Sequence, residues 1–242
     1  MKLTRIVAAL AAPLLLGACL LQPARFTSAL TVKADRSFTF AYKGEVVAID
    51  PSEAMASSLG ASSSTSDDSD LTAEQKAEKA AERAAERAEK AKEAAEKEGK
   101  NRAVAEALAK EAGYRSVSYL GKGKYLIDYE ISGRLDHGFV YPFNTDAEIV
   151  FPFIALEVRK DGSVRMTAPA FAGSTSQAGA ASGMPSRNEA IDGTFTLTTN
   201  AEIAMHNNEA GPQAGPGGTR TLSWRITPLT KDAPTASLRL AK

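Results

Sequence analysis

The chain has 242 residues and carries 29 basic and 29 acidic side chains, so its formal net charge at pH 7 is zero. This equal number of basic and acidic side chains argues against a large basic surface of the kind that binds nucleic acids or anionic lipid headgroups. Two histidines and a single cysteine leave few ligands for a zinc or other transition-metal site, and no residue pattern indicates another cofactor.

Residues 1–18 have the pattern of an export signal. They begin with the basic residues Lys2 and Arg5, and an apolar segment fills positions 6–16. As a helix, that segment would span about 16 Å, roughly half of the hydrocarbon core of a bilayer, which is too short for a transmembrane helix. A basic start, a short apolar core and small residues after it predict a cleaved signal. The alternative, a buried N-terminal helix, would need polar residues at helical spacing, which the segment lacks.

The residues Leu16-Gly17-Ala18-Cys19 resemble the lipobox of bacterial lipoproteins. The resemblance implies that the signal is cut before Cys19, that the thiol receives a diacylglyceryl group and that the new amino terminus is acylated, for example with palmitate. One cysteine cannot form a disulfide within the chain, and an unmodified exported thiol is reactive; both facts agree with lipidation. An ordinary buried cysteine is the alternative. The second mature residue would be Leu20 rather than aspartate, which in this family resembles sorting to the outer membrane.

Cleavage of the signal changes the charge only slightly. It removes Lys2 and Arg5, which lowers the 29 basic side chains to 27 and leaves all 29 acidic ones, for a net charge of −2. This value again argues against a nucleic-acid partner. The rest of the chain has no second apolar stretch of membrane length. The expected membrane partner is therefore the bilayer that takes up the acyl chains on Cys19.

Residues 19–56 hold the lipid-anchored start and the first β-hairpin of the predicted domain. Apolar side chains alternate with polar ones from Leu30 onward and again from Phe38 to Tyr42, which is typical of half-buried strands. Residues 57–70, rich in serine and aspartate, predict a disordered linker.

Residues 71–100 predict a long charged helix, because positions 73–98 hold only strong helix formers. Asp70 or Thr72 can cap its start, and Gly99 is a natural stop. We expect about 28 helical residues with a length of roughly 42 Å.

The alanines of this helix follow a heptad rhythm, but alanine buries little area, so each contact would gain far less than a leucine contact. The charges of the helix nearly cancel. Two interpretations stay open: a solvated insertion or spacer, and a weak coiled coil that binds a second copy or another protein. Because one interpretation includes binding of a second copy, the oligomeric state also stays open. The alanines in the rhythm are Ala77, Ala81, Ala84, Ala88, Ala91 and Ala95.

Residues 101–242 hold the end of the helix and the remainder of the domain. A weaker helical pattern covers 101–112, and roughly ten short strands with one apolar face each lie on both sides of the charged helix. These features predict an α+β fold. It is an antiparallel, mostly β domain with residues 101–112 packed as a helix against its inner face, plus a long Ala/Glu/Lys-rich helical insertion.

The order of these elements resembles the LppM type of bacterial envelope lipoproteins. The shared elements are the lipobox, the opening hairpin "TSALTVKADRSFTFAYKGEV", a helix, the segment "GYRSVSYLGKGKYLIDYEI" and a late pair with "TTNAEI" and "TLSWRI". The resemblance implies a curved sheet that grips a helix, similar to lipid-binding folds, and a lipid-like ligand. The charged alanine-rich helix and the lack of a C-terminal membrane span depart from the family.

No residue pattern predicts catalysis. His137 follows Asp136, but neighbours on a strand point to opposite faces, and the chain has no G-x-S-x-G serine elbow. His206 ends a strand, and the Gly-Lys-Gly sequence at 121–123 lacks the rest of a phosphate-binding loop. We expect surface histidines, a hairpin turn at 121–123 and no enzyme activity.

One set of aromatic residues would line an apolar cavity if the curved sheet leaves a gap beneath the helix. Each member is equally well explained as an ordinary core residue. The set consists of Phe38, Phe40, Tyr125, Phe151, Phe153 and Trp224.

The sequence leaves three functions open. The first is a non-enzymatic binding or interaction module, tethered by Cys19 at the periplasmic face of the outer membrane, with an envelope protein as its partner. The second is a carrier or sensor that holds a lipid or another apolar ligand in an internal cavity. The third is an enzyme, which a cleft with converging polar groups would favour.

Overall fold

Twelve strands and one long helix make up the described part of the chain. The computed structural model describes residues 20–49, 72–142, 152–172 and 191–240, and the linker predicted at 57–70 lies outside them. In chain order the elements are β1 (Leu20–Val32), β2 (Ser37–Ile49), α1 (Ala73–Leu108), β3 (Tyr114–Gly121), β4 (Lys124–Arg134), β5 (Phe139–Tyr141), β6 (Ile154–Val158), β7 (Ser163–Thr167), β8 (Asp192–Thr199), β9 (Glu202–His206), β10 (Gln213–Ala214), β11 (Arg220–Ile226) and β12 (Thr235–Arg239), with 3-10 turns at Pro169–Phe171 and Pro216–Gly218.

The predicted opening hairpin is confirmed, because β1 and β2 pair in antiparallel fashion along almost their whole length. Asp35 holds the turn between them. Its Oδ1 accepts hydrogen bonds from the backbone N–H and the hydroxyl of Ser37 at 2.9 and 2.7 Å. These bonds lower the pKa of the Asp35 carboxyl.

The helix α1 begins with a capping box. Thr72 Oγ1 accepts from the backbone N–H of Gln75 at 3.4 Å, and Gln75 Oε1 accepts from the backbone N–H of Thr72 at 3.0 Å. The stop predicted at Gly99 is wrong, because α1 continues to Leu108. A glycine inside a helix costs only about 1 kcal/mol relative to alanine, and burial of Ala105 beyond it offsets that cost.

Only the last third of α1 packs on the sheets. Every described side chain from residue 72 to residue 96 is exposed, with one half-buried exception. Further along, Ala105 is buried in the core, and the carbonyl oxygen of Asn101 accepts from the Tyr125 hydroxyl at 3.3 Å. The predicted packing of this helix end against the inner face of the sheet is confirmed.

The strands form two sheets that share one core. The seven-stranded sheet has the order β10-β11-β8-β1-β2-β4-β3, and the five-stranded sheet has the order β5-β6-β7-β12-β9. Alternate side chains of both sheets point inward and belong to a single buried hydrophobic cluster. The described fold is therefore mostly β with one packed helix, in agreement with the α+β class.

The prediction of a purely antiparallel sheet is wrong for one pair of strands. β1 and β8 run parallel, from the pair Arg25 and Asp192 to the pair Val32 and Thr199. Side-chain alternation reveals which face of a strand is buried, but it carries no information about the direction of a distant partner. The seven-stranded sheet is consequently mixed.

Candidate functional site at the start of the first strand

Cys19 lies directly before the first strand. It is outside the described residues, and the next residue, Leu20, opens β1. β1 then runs through the middle of the seven-stranded sheet, between β2 and β8. After a cut before Cys19, no spacer would separate this cysteine from Leu20, the first residue of β1.

The start of β1 is close to the tip of the β3–β4 hairpin. Leu21 pairs with Ala48 on β2, and the backbone N–H of Ala48 donates to the carbonyl oxygen of Gly123 at 2.8 Å. Because neighbouring strands lie about 4.8 Å apart, Gly123 is roughly 10 Å from Leu21. We name this part of the sheet, comprising Leu20, Leu21, Ala48 and the turn at 121–123, the anchor end.

The predicted hairpin turn at 121–123 is confirmed. Gly121, Lys122 and Gly123 have φ values of 91°, 52° and 72°, a left-handed conformation that glycine adopts with the least strain. A Cβ on Gly123 would lie 2.9 Å from the carbonyl oxygen of Ala48. Glycine at this position therefore allows the turn to sit closely against β2.

Several of the charged side chains near the anchor end form ion pairs. Arg25 Nη2 lies 2.6 Å from Glu45 Oε1, and Lys124 Nζ lies 3.7 Å from the other carboxylate oxygen. The hydrogen bond from Arg25 lowers the pKa of Glu45. Lys43 forms an ion pair with Asp128 at 3.3 Å. These described groups present compensated charge rather than a basic patch.

Five of the six aromatic residues singled out in the sequence are buried, and the sixth, Phe151, lies outside the described residues. Tyr125 stands apart from the other four, because its ring contacts Tyr119 at a centroid distance of 5.1 Å and its hydroxyl bonds to α1. Whether these side chains line a cavity stays a prediction. The other four belong to a chain of rings with centroid distances of 5.0 to 6.2 Å, in the order Phe38, Phe139, Phe40, Tyr141, Phe153, Phe171, Phe195 and Trp224.

Sequence reasoning missed a tyrosine cluster beside this chain of rings. The ring centroids of Tyr129 and Tyr141 are 4.2 Å apart, and Tyr114 is 4.8 Å from Tyr129. Burial raises the pKa of Tyr141 well above its ordinary value and that of Tyr129 to about 12. Tyr129 follows the alternation of its strand, whereas Tyr141 lies on a strand of three residues, which is too short to show a period.

The two histidines lie in separate parts of the fold. His137 is exposed in the loop after β4, and His206 ends β9 on the five-stranded sheet, where its Nδ1 accepts from the backbone N–H of Asn208 at 3.2 Å. Within the described ranges, no group of His, Cys, Asp and Glu side chains could hold a metal ion. None of the described helices combines the length and the apolar character needed to cross a bilayer.

The chain has only weak similarity to known proteins. No protein-family model matches the chain, and no curated protein matches it. One solved structure, the NMR structure of the folded domain of the Mycobacterium tuberculosis LppM protein, aligns with 92% of this chain and 93% of its own length. The identity is 14% and the TM-score is 0.32. The match agrees with the weak LppM-type resemblance of the sequence, and at this score it establishes neither fold nor function.

Proposed function

We propose that the chain is a lipoprotein of the bacterial cell envelope, held by acyl chains on Cys19 at the periplasmic face of the outer membrane. There it acts as a non-enzymatic binding or interaction module. The observation that carries this proposal is the position of Cys19: a lipobox-like sequence ends one residue before the first strand of the sheet. Cleavage before Cys19 would separate the predicted export signal, residues 1–18, from the domain that follows.

The strength of such an anchor depends on the number of acyl chains. Each buried methylene contributes about 0.8 kcal/mol, and a single chain holds a protein only marginally. Two or three chains on Cys19 would hold the protein at the membrane through many rounds of partner binding. Because β1 begins at Leu20, the domain would lie directly at the membrane surface.

The exposed part of α1, residues 72–96, supports an interaction role. It lies between β2 and β3 in the chain and would extend about 37 Å at 1.5 Å per residue. Its described side chains bury no surface in the core of their own chain. A helix of this kind serves as a spacer or as a contact for another protein.

A second candidate is a carrier or sensor of a lipid or other apolar ligand. It is favoured by the aromatic rings that line the inner faces of both sheets, such as Phe40 on β2 of the seven-stranded sheet and Tyr141 on β5 of the five-stranded sheet. Native mass spectrometry of the mature protein separates the two candidates. A retained lipid would support the carrier, and a ligand-free protein would support the interaction module.

Metabolic labelling tests the proposed function. The full chain and its Cys19→Ser variant are expressed in a bacterium with labelled palmitate, and membranes are then fractionated. We expect label in the wild-type protein, in the outer-membrane fraction, and an unlabelled uncut precursor for the variant. Label in the Cys19→Ser variant, or a wild-type protein released in the soluble periplasmic fraction, would contradict the proposal.

A further inference from the structure

We propose that His206, Asn207 and Asn208 form an acid-sensitive latch between the two sheets, which opens when His206 is protonated. These three residues are called the asparagine latch below. They belong to the described part of the chain, and the latch acts whether or not Cys19 carries lipid. It gives the domain a conformational response to pH that neither candidate function requires.

The latch closes one side of the shared core. β9 is the outermost strand of the five-stranded sheet, and β10 is the outermost strand of the seven-stranded sheet. The chain crosses from the first sheet to the second between residues 206 and 213. Because Asn207 and Asn208 begin this crossing, the bonds of their side chains determine how firmly the two sheet edges are joined.

The Asn207 amide bonds to both sheets. Its Oδ1 accepts from the indole N–H of Trp224 on β11 at 3.2 Å and from the backbone N–H of Thr235 on β12 at 2.9 Å. Its Nδ2 donates to the carbonyl oxygen of Ala233 at 2.7 Å. β11 belongs to the seven-stranded sheet and β12 to the five-stranded sheet. One amide group thus links a ring of one sheet to the backbone of the other.

Asn208 makes a second link to β11. Its side chain is buried, and its Nδ2 donates to the carbonyl oxygen of Ser223 at 2.6 Å. Its backbone N–H donates to the Nδ1 of His206 at 3.2 Å, and His206 pairs with Ala236 on β12. The imidazole therefore fixes the backbone of Asn208, and through it the side chain that reaches the other sheet.

The closed latch requires a neutral imidazole. A ring nitrogen that accepts a hydrogen bond carries no proton, whereas both ring nitrogens of an imidazolium are donors. A proton on Nδ1 would face the N–H of Asn208, so the bond would be replaced by repulsion between two donors. Histidine is the side chain that changes charge between about pH 5 and 8. Because the open form binds the proton better, latching is favoured at neutral pH and weakens as the pH falls.

The strands around the latch supply no countercharge to a protonated His206 within the described residues. Glu202 of β9 pairs with Arg239 of β12, and Arg225 of β11 pairs with Asp192 of β8. β10, which consists of a glutamine and an alanine, has no titratable side chain. The inward side chains that β11 and β12 place at this side of the core are buried and apolar, namely Leu222, Trp224, Ile226, Ala236 and Leu238.

The other charged groups near the latch lie in water. Glu209 follows the latch in the chain, and Lys231 and Asp232 precede its bonding partner Ala233. Arg220 begins β11, four residues before Trp224. All four charged side chains are exposed. Since exposed ion pairs contribute little, none of these groups would hold a protonated imidazole in the latched position.

The closed latch also contains an unfavourable feature that opening would relieve. The Oδ1 of Asn208 is buried and accepts no hydrogen bond within the described residues. A buried acceptor without a donor raises the free energy of the closed form. Water would reach this oxygen once the latch opens, so loss of the bond to His206 is enough to shift the balance toward opening.

Opening would uncover Trp224, which ends the chain of aromatic rings. In the closed form this residue is only 9% exposed, and its ring stacks on Phe195 at a centroid distance of 5.5 Å. Without Asn207 its indole N–H loses the bond that covers it from the side of β9. Acid therefore admits solvent to this end of the core.

The fluorescence of Trp224 tests the latch directly, because this is the only tryptophan of the chain. The full chain is purified in detergent, and quenching by acrylamide, a neutral molecule, is compared at about pH 7.5 and about pH 5.5, on either side of the ordinary histidine titration. In His206→Asn the amide oxygen accepts from the N–H two residues on but cannot be protonated. The matched control is His137→Asn, which removes the other histidine, exposed in the loop after β4.

We expect several-fold stronger quenching at the lower pH in the wild-type chain and in His137→Asn, and weak quenching at both pH values in His206→Asn. His206→Ala, which lacks the acceptor, should be strongly quenched at both. Equal quenching of the wild-type chain at the two pH values, or an acid response that survives in His206→Asn, would overturn the latch. Weaker quenching in acid would overturn it as well, because protonation would then tighten the contact.

Discussion

Glu98 on α1 accepts a hydrogen bond from the backbone N–H of Lys122, with its Oε1 2.9 Å from that nitrogen. The bond joins the helix to the β3–β4 turn at the point where the helix leaves the sheet. Residues before Glu98 are mostly exposed, and residues after it reach the core at Ala105. The pair therefore marks the boundary between the packed and the exposed parts of α1.

Replacing Glu98 by alanine should weaken the attachment of α1 to the β3–β4 turn. Loss of one exposed side-chain hydrogen bond costs about 1 kcal/mol, so the free energy of unfolding should fall by that amount or less. Hydrogen exchange should become faster in the helix next to the turn. The matched control is Glu96→Ala, an exposed glutamate on the same helix. Identical exchange in the two variants would show that the bond does not hold the helix.

Two glycine replacements should change stability in opposite directions. A Cβ on Gly44 would lie 2.3 Å from the carbonyl oxygen of Arg25 and 2.5 Å from the Cβ of Phe26, beside the irregular pairing of β1 and β2. Gly44→Ala should therefore destabilise the fold by about 1–3 kcal/mol. At Gly99 no atom lies within 4 Å of an added Cβ, and Gly99→Ala should stabilise the helix by about 1 kcal/mol or less. Urea unfolding measures both, and a stabilising Gly44→Ala would contradict the described strand pairing.

Truncation of Phe40 should cost far more than truncation of an exposed apolar residue. Phe40 is fully buried and its ring contacts Tyr129, Phe139 and Tyr141. Phe40→Ala should lower the free energy of unfolding by about 3–5 kcal/mol, and Met205→Ala, at an exposed site, should change it by about 0.5 kcal/mol or less. Denaturant unfolding compares the two. If Phe40→Ala lowered the free energy of unfolding by no more than Met205→Ala does, the Phe40 ring would not belong to a packed core.

The buried tyrosines should make the fold sensitive to alkali. Burial raises the pKa of Tyr129 to about 12 from the ordinary value of 10.0, and it raises the pKa of Tyr42 and Tyr141 well above that value. The folded state then holds protons that the unfolded state releases. Stability is fully present below the unfolded pKa and is lost as pH rises through the folded pKa.

A pH titration of tyrosinate absorbance alongside circular dichroism measures this effect. We expect the free energy of unfolding to decline as pH rises from 10.0 toward about 12, with a shallower decline in Tyr129→Phe. Ionisation of all six tyrosines near pH 10.0 with the fold intact would contradict the described burial.

Local sequence features predicted the local structure well. The alternation of apolar and polar residues around Leu30 and Phe38 predicted the opening hairpin. The glycines at 121 and 123 predicted the turn between β3 and β4. Thr72, one of the two predicted caps, caps the helix. Each of these features is set by residues close together in the chain, where side-chain period and turn conformation act directly.

Long-range features could not be predicted in the same way. The parallel pairing of β1 with β8 joins residues more than 160 positions apart, such as Arg25 and Asp192, and nothing in either strand encodes the direction of its partner. The helix passes Gly99 because tertiary burial of Ala105 outweighs a weak local preference.

The mass of the N-terminal peptide from protein extracted from membranes shows whether Cys19 anchors the chain. We expect a peptide that begins at Cys19 and carries a diacylglyceryl group on the thiol together with an acyl chain on the amino terminus. A peptide that begins at another residue, or one whose Cys19 thiol is free, would contradict this expectation.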